Sequence, residues 1–163
     1  MMSSCFDIVR SNYFQIFFLV VLTPVLWGCS KHTNISNSSL YEIKINNEII
    51  HVEVASTQSE RMLGLMFREK LDKNHGMLFI YPQEEYLSFW MKNTRIPLSL
   101  AFINSNGKII QIESMVPYSL TNHVSEDKVR YALEMEEDWF RKNEIRVGSK
   151  VSFTSEINKI NVR

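Results

Sequence analysis

From Leu40 to the C-terminus, apolar and polar residues alternate over most of the chain, as half-buried β-strands do. Tyr41-Glu-Ile-Lys-Ile45 and Ile49-Ile-His-Val-Glu-Val54, joined by Asn46-Asn47-Glu48, predict a hairpin. Thr57-Gln-Ser-Glu60 matches a capping box opening a short helix through Arg61, Met62 and Leu63, with Gly64 suited to the residue just past its end. Gly76 to Tyr81 reads as a strand stopped by Pro82, Leu87 to Met91 as another, and Asn93-Thr94 as a turn. Leu98 to Ile103, Asn106-Gly107 and Lys108 to Glu113 predict a second hairpin, with Asn-Gly supplying the two positive-φ residues of a type I′ turn. Tyr118 to Lys128 is polar and irregular and reads as a loop. Arg130 to Met135 returns to strand, Glu136 to Asn143 predicts a helix with acids first and bases last, and Gly148 precedes a strand over 150–154.

Some eight short strands and two small helices predict a mainly β, compact single domain, either a sandwich or a partly closed barrel. The folded part spans residues 40–155, with 156–163 as a C-terminal tail. No internal repeat is visible.

Residues 1–39 follow another pattern. An apolar run from Tyr13 to Leu26 ends in Trp27-Gly28-Cys29, and a polar stretch follows. This predicts a lipoprotein signal peptide over 1–28, a diacylglycerol thioether on Cys29, and a polar tether over 29–39. The competing readings are a membrane span and a signal cleaved elsewhere. The run is shorter than the roughly 20 residues that cross a hydrocarbon core, and Pro24 sits near its end. The expected location is the cell envelope, with the soluble domain outside the cytoplasm and held by acyl chains. Ser30 after the cysteine, where Asp accompanies inner-membrane retention, favours the outer membrane.

Charge and cysteine narrow the chemistry. The chain carries 18 basic and 18 acidic residues, and the leader holds one of each, Arg10 and Asp7. With no basic stripe, nucleic acid is not an expected partner. The two cysteines are Cys5 in the leader and Cys29 at the anchor, so disulfides, thiolate metal sites and cysteine nucleophiles are not expected in the domain.

Several strings carry a family resemblance. These are Glu60-Arg61, Gly64-Leu65-Met66, Arg68, Leu71, Gly76-Met77-Leu78-Phe79, Phe89-Trp90-Met91-Lys92-Asn93-Thr94, Ile96-Pro97-Leu98 and Leu133-Glu134. Over about residues 40–154 the chain resembles domain-of-unknown-function family 192, a bacterial and archaeal family. The resemblance implies a jelly-roll-like β domain, often behind a signal or anchor, and brings no established activity. The chain departs from the family pattern at Ser99 and Asn104, where Asp is frequent, at Asp138, where Gly is usual, and at Glu144 and Ser149 in the closing Gly-x-x-x-Gly-Asp turn. Loss of charge at 99 and 104 puts any site built on those Asp residues in doubt.

The candidate residues are Arg61, Arg68, Trp90, Lys92, Asn93, Thr94 and Glu134. The cations read either as an anion site or as a latch in which an Arg–Glu pair ties the first helix to the late strand. Trp90 reads either as a stacking or pocket-closing ring or as a cap on the core, with Asn93 serving the turn. Met62, Met66, Met77 and Met91 read as core filler or, more weakly, as soft ligands for copper(I). His32, His51, His75 and His123 show no paired spacing, so no metal site or cofactor is expected. No serine-hydrolase elbow is present, and Glu84 and Glu85 have no partner carboxylate in the sequence pattern. The leading expectation is a monomeric, non-catalytic, membrane-anchored domain binding a small ligand or envelope protein. The alternative is a hydrolase or transferase of an envelope polymer, with Glu134 as acid or base and Arg61 and Lys92 stabilising an anion. The expectation is that Arg61, Trp90, Lys92 and Asn93 converge, with Glu134 close to Arg61.

Overall fold

A computed structural model describes residues 39–163; the leader, Cys29 and all but the last residue of the tether lie outside them. No helix among the described residues is long and apolar enough to cross a membrane. The strands are β1 (Tyr41–Ile45), β2 (Glu48–Ala55), β3 (His75–Glu85), β4 (Ser88–Phe89), β5 (Leu98–Ile103), β6 (Ile109–Met115), β7 (His123–Val124), β8 (Val129–Glu136) and β9 (Val151–Phe153). Two short helices, α1 (Gln58–Leu63) and α2 (Trp139–Lys142), and a 3-10 turn at Ile157–Lys159 complete the fold.

Seven strands form one sheet in the order β6-β5-β8-β3-β2-β1-β9, and β4 pairs with β7 alone. Every neighbouring pair in the large sheet is antiparallel except β2–β3. That pair is parallel because α1 and its following loop form the crossover such strands need. The sheet's two edges meet at one end: Val151 N donates to Gly107 O at 2.7 Å and Gly148 N to Ile109 O at 2.8 Å. The fold is therefore mainly β and of the partly closed barrel kind.

Strand parity divides the core in two. One cluster draws on all seven strands, with Ile43, Ile50, Leu78, Ile103, Ile109, Leu133 and Val151 among its members, and is plugged by Trp139, Phe140 and Ile157. The alternate residues, Met77, Phe79, Leu98, Leu100, Phe102 and Ala132, form a second cluster under Leu65, Leu87, Phe89 and Met91. All six residues of β5 are buried, so its sequence is a continuous apolar run without alternation.

Several elements differ from the sequence reading. The strand expected to stop at Pro82 continues to Glu85, with a register break between Ile80 and Glu85; there the missing proline N–H removes no ladder bond. The expected strand over 87–91 contracts to β4, which pairs with a strand inside the expected loop, Ser88 opposite Val124. The helix expected over 136–143 shortens to four residues because Glu136 ends β8 and Asp138 adopts φ 63°. The β5–β6 turn has only Gly107 at positive φ, with Gly107 N bonded to Asn104 O at 2.9 Å. This is a type I turn followed by a glycine bulge, the three-residue hairpin solution.

The departures from the family pattern now have a backbone meaning. Asp138 and Glu144, both at positions where Gly is usual, sit at φ 63° and φ 56°. Asp138 is held by its carboxylate, which accepts from Arg141 at 2.7 Å, whereas Glu144 is exposed and its Cβ crowds the backbone. Glu144→Gly should therefore stabilise the fold by about 1 kcal/mol, read as a rise in melting temperature. An unchanged or lower value would mean that Glu144 gains from a contact what its backbone loses.

Candidate ligand-binding cleft

The capping box sets α1 in place. Thr57 Oγ1 accepts from Glu60 N at 3.3 Å, and Glu60 Oε2 accepts from Thr57 N and Ser56 N, each at 2.9 Å. These bonds, the Thr57 amide above all, hold the Glu60 carboxyl below its ordinary range. One residue on, Arg61 Nη1 donates to Ser56 O at 2.7 Å and Ile80 O at 3.0 Å, and Nη2 donates to Arg163 O at 3.0 Å. The guanidinium lies 4.8 Å from the centre of the Tyr81 ring. Arg61 thus staples the residue after β2, the middle of β3 and Arg163. It ion-pairs with no Asp or Glu side chain among the described residues.

The chain reverses at Gly64, φ 49° and ψ −136°, backbone that a Cβ disfavours, and a Cβ there would already touch the Phe79 ring at 3.4 Å. Leu65 then enters the core. Arg68 turns to β2, where its guanidinium grips Glu53 with both nitrogens, Nη2 to Oε2 at 2.6 Å. An Arg–Glu latch to the sheet exists, then, but between Arg68 and Glu53, not between Arg61 and Glu134.

Glu134 lies on β8, opposite Met77 of β3 and Leu100 of β5. Its parity with Ala132 aims it into the second apolar cluster. It is 5 % exposed, and its Oε2 is fully buried without a hydrogen-bond partner. Burial disfavours the ionised form and pushes the carboxyl up to about 8. At neutral pH the group is a carboxylic acid, with an O–H donor and a carbonyl acceptor. Close approach of β8 depends on Gly76, where a Cβ would stand 2.4 Å from Glu134 O and 2.4 Å from Met135 Sδ.

Glu134 and Arg61 line a cleft of about 400 Å³ shared with Gly64, Leu65, Phe79, Tyr81, Glu85, Phe89, Trp90 and Thr94. Trp90 is 46 % exposed at its wall, with Lys92 Nζ 5.2 Å from the ring centre. Thr94 is buried, its Oγ1 donating to Lys92 O at 3.3 Å. Asn93 makes the turn at φ 57° and its carbonyl accepts from Phe67 N at 2.9 Å. Arg61, Trp90, Thr94 and Glu134 are therefore brought to one cavity; Lys92 and Asn93 flank it, and Arg68 is engaged elsewhere. Tyr81, Phe79 and Glu85 were missed by sequence reasoning, although Tyr81 shares the parity of Met77 and Phe79. Tyr81's phenol is raised by burial, against a lowering by Arg61, with Glu85 and Glu134 raising it further.

Other expected chemistry is dispersed. Met77 and Met91 are core residues while Met62 is 69 % exposed, so the four methionines do not share one environment. Among the described residues no cluster of three or more His, Cys, Asp or Glu is placed to hold a metal. Ser99 Oγ accepts from Asp138 N at 2.9 Å, and Asn104 Oδ1 accepts from Asn106 N and Lys108 N at 3.1 and 3.0 Å. Each supplies an acceptor oxygen, which Asp would supply equally, and neither lines the cleft.

Comparison with known proteins places this geometry in a wider group. No curated protein matches the chain. A crystal structure from Sinorhizobium meliloti, described as that of a candidate transcription regulator, is 29 % identical with a TM-score of 0.68, covering 71 % of this chain and 95 % of its own. A protein of unknown function from Novosphingobium aromaticivorans is 27 % identical with a TM-score of 0.70, covering 74 % and 89 %. The family model of DUF192, "Uncharacterized ACR", matches residues 41–153, the span that contains every wall of the cleft, and the chain belongs to that family.

Proposed function

We propose that this chain is a lipid-anchored envelope protein whose β domain binds a small, largely apolar ligand without transforming it. The observation that carries the binding reading is Glu134, a buried carboxyl with an unpartnered oxygen at an aromatic-lined cleft. A buried polar atom without a partner costs about 1–3 kcal/mol, a cost that a bound ligand's polar group would offset. Arg61 does not act as a free anion receptor in this reading, since backbone carbonyls occupy three of its donors. The anchor reading rests on the apolar run ending at Cys29. The regulator description of the Sinorhizobium relative gains no support from a neutral chain without a basic stripe.

Binding is tested with N-phenyl-1-naphthylamine, a neutral dye that brightens in apolar sites. Trp90→Ala should weaken dye binding by about fivefold or more while leaving the melting temperature nearly unchanged, because the ring is half exposed. Equal dye affinity in the two proteins would refute the cleft as the site. For the anchor, Cys29→Ser should abolish incorporation of labelled palmitate and leave unprocessed precursor.

A second reading, catalysis on an envelope polymer, is favoured by one observation: a carboxyl raised to about 8 is poised to exchange a proton at neutral pH. It requires that Glu134→Gln abolish turnover of purified polymer while leaving dye binding intact.

A further inference from the structure

We infer that the cleft is a receptor for an organic cation of the quaternary-ammonium class, with Glu134 as its buried counter-ion and the surrounding rings as its cage. This deepens the ligand-binding reading above and rests on it. Phe79, Tyr81, Phe89 and Trp90 bring four aromatic side chains to one cavity. Ring faces carry the negative end of a quadrupole and attract cations, most strongly where water is excluded. The protein already uses two of these rings so: Arg61 lies 4.8 Å from Tyr81 and Lys92 5.2 Å from Trp90.

Two carboxyls, Glu134 and Glu85, line the same cavity as Arg61, the one cationic side chain among its walls. With Glu134 ionised and a monocation bound, these charges cancel. A bound anion would leave the cavity with excess negative charge and find three of Arg61's donors already given to Ser56, Ile80 and Arg163 carbonyls. A quaternary ammonium has no N–H to satisfy, so it suits walls that are mostly aromatic and aliphatic, with Gln58, Ser88 and Thr94 as the uncharged polar members beside the Tyr81 phenol. The buried Oε2 of Glu134, which no protein donor engages, is the charge such an ion balances electrostatically, without a hydrogen bond.

Binding would displace the Glu134 proton into solvent. The charged and titratable groups around that carboxyl are Arg61 from α1, Tyr81 and Glu85 from β3, and Lys92 beyond Trp90. Burial raises the Tyr81 phenol further above its ordinary value, while the Glu134 carboxyl changes state near pH 8. Affinity for the cation should therefore rise with pH and level off above that value, by up to about tenfold per pH unit below it.

The test uses three probes of one shape: (2-naphthylmethyl)trimethylammonium, its uncharged carbon isostere 2-neopentylnaphthalene, and 2-naphthylmethanesulfonate, titrated into the full-length protein in detergent from pH 6 to pH 9. The expected result is that the ammonium binds at least about tenfold tighter than either analogue at pH 8.5, with affinity rising with pH. In Glu134→Gln both the preference and the pH dependence should disappear while the neutral probe still binds. Preference for the neutral or anionic probe would overturn the inference and leave the cleft as a site. An ammonium affinity unchanged in Glu134→Gln would overturn it as well. Binding of none of the three would remove the cleft reading together with it. Trp90→Ala, on a half-exposed ring, provides a variant whose folding is not in question and should also lose the ammonium preference.

Discussion

Raising the pH from 4.5 to 8 should cost the domain about 4–5 kcal/mol of stability through Glu134 alone, and Glu134→Gln should remove that loss. The carboxyl stands near 4.5 in the unfolded chain and at about 8 in the folded one, because burial in the second apolar cluster penalises the charged form. Between those values the native state holds a proton that the unfolded state has released. Folding is therefore favoured most below pH 4.5, the advantage declines through the window, and above pH 8 it is gone. Each unit of separation is worth about 1.4 kcal/mol. Chemical denaturation at pH 5 and pH 9 should show the native protein weaker at pH 9; carboxylates whose values are lowered, such as Glu60, lose their contribution only as the pH falls below about 4.5 and so leave this comparison nearly untouched. The Gln variant isolates the contribution: it should match or approach the native protein at pH 5 and exceed it at pH 9. If the difference between the two proteins is the same at both pH values, Glu134 does not titrate in the folded state as burial requires.

The same residue marks where the sequence stopped being readable. Glu134 is visible as a charged residue in an apolar motif, and alternation along Arg130 to Met135 places it on the opposite face from Leu133. What surrounds it depends on strand order, and the sheet order β5-β8-β3 is not contained in any local pattern. Arg61 illustrates the limit more sharply. An arginine and a glutamate in matched motifs suggest a pair, but the acceptors Arg61 uses are backbone oxygens of Ser56, Ile80 and Arg163, which every residue possesses and no sequence identifies. Local devices were legible: the Thr57–Glu60 capping box and the first hairpin stand where the pattern puts them. Pairings between distant short segments were not. Leu87 to Met91 reads as a strand, of which only Ser88-Phe89 pairs, but its partner His123-Val124 lies in a stretch too short and polar to read as one. The family's usual glycines at 138 and 144 likewise mark positive-φ backbone, although this chain fills both with acids.

Gly107→Val should destabilise the domain by about 3 kcal/mol or more, and its effect reaches past the hairpin that contains it. Gly107 adopts φ 76° as the bulge residue after the Asn104–Gly107 turn, and a β-branched side chain at that φ costs about 1–3 kcal/mol. The second cost is steric: a Cβ at this position would lie 2.5 Å from Val151 O, on the strand that bonds Gly107 O through Val151 N at 2.7 Å. The valine must therefore push β9 away from the turn, at the place where the two edges of the sheet close. Val151 and Phe153 would lose their packing on the interior cluster, so the loss should appear in both melting temperature and denaturant midpoint. Gly107→Ala separates the two causes, since it keeps the Cβ clash with less of the β-branched strain; it should fall between the native protein and the Val variant. A destabilisation equal for Ala and Val would assign the whole effect to the closing contact with β9, and a melting temperature unchanged by Val would mean that the sheet does not close there.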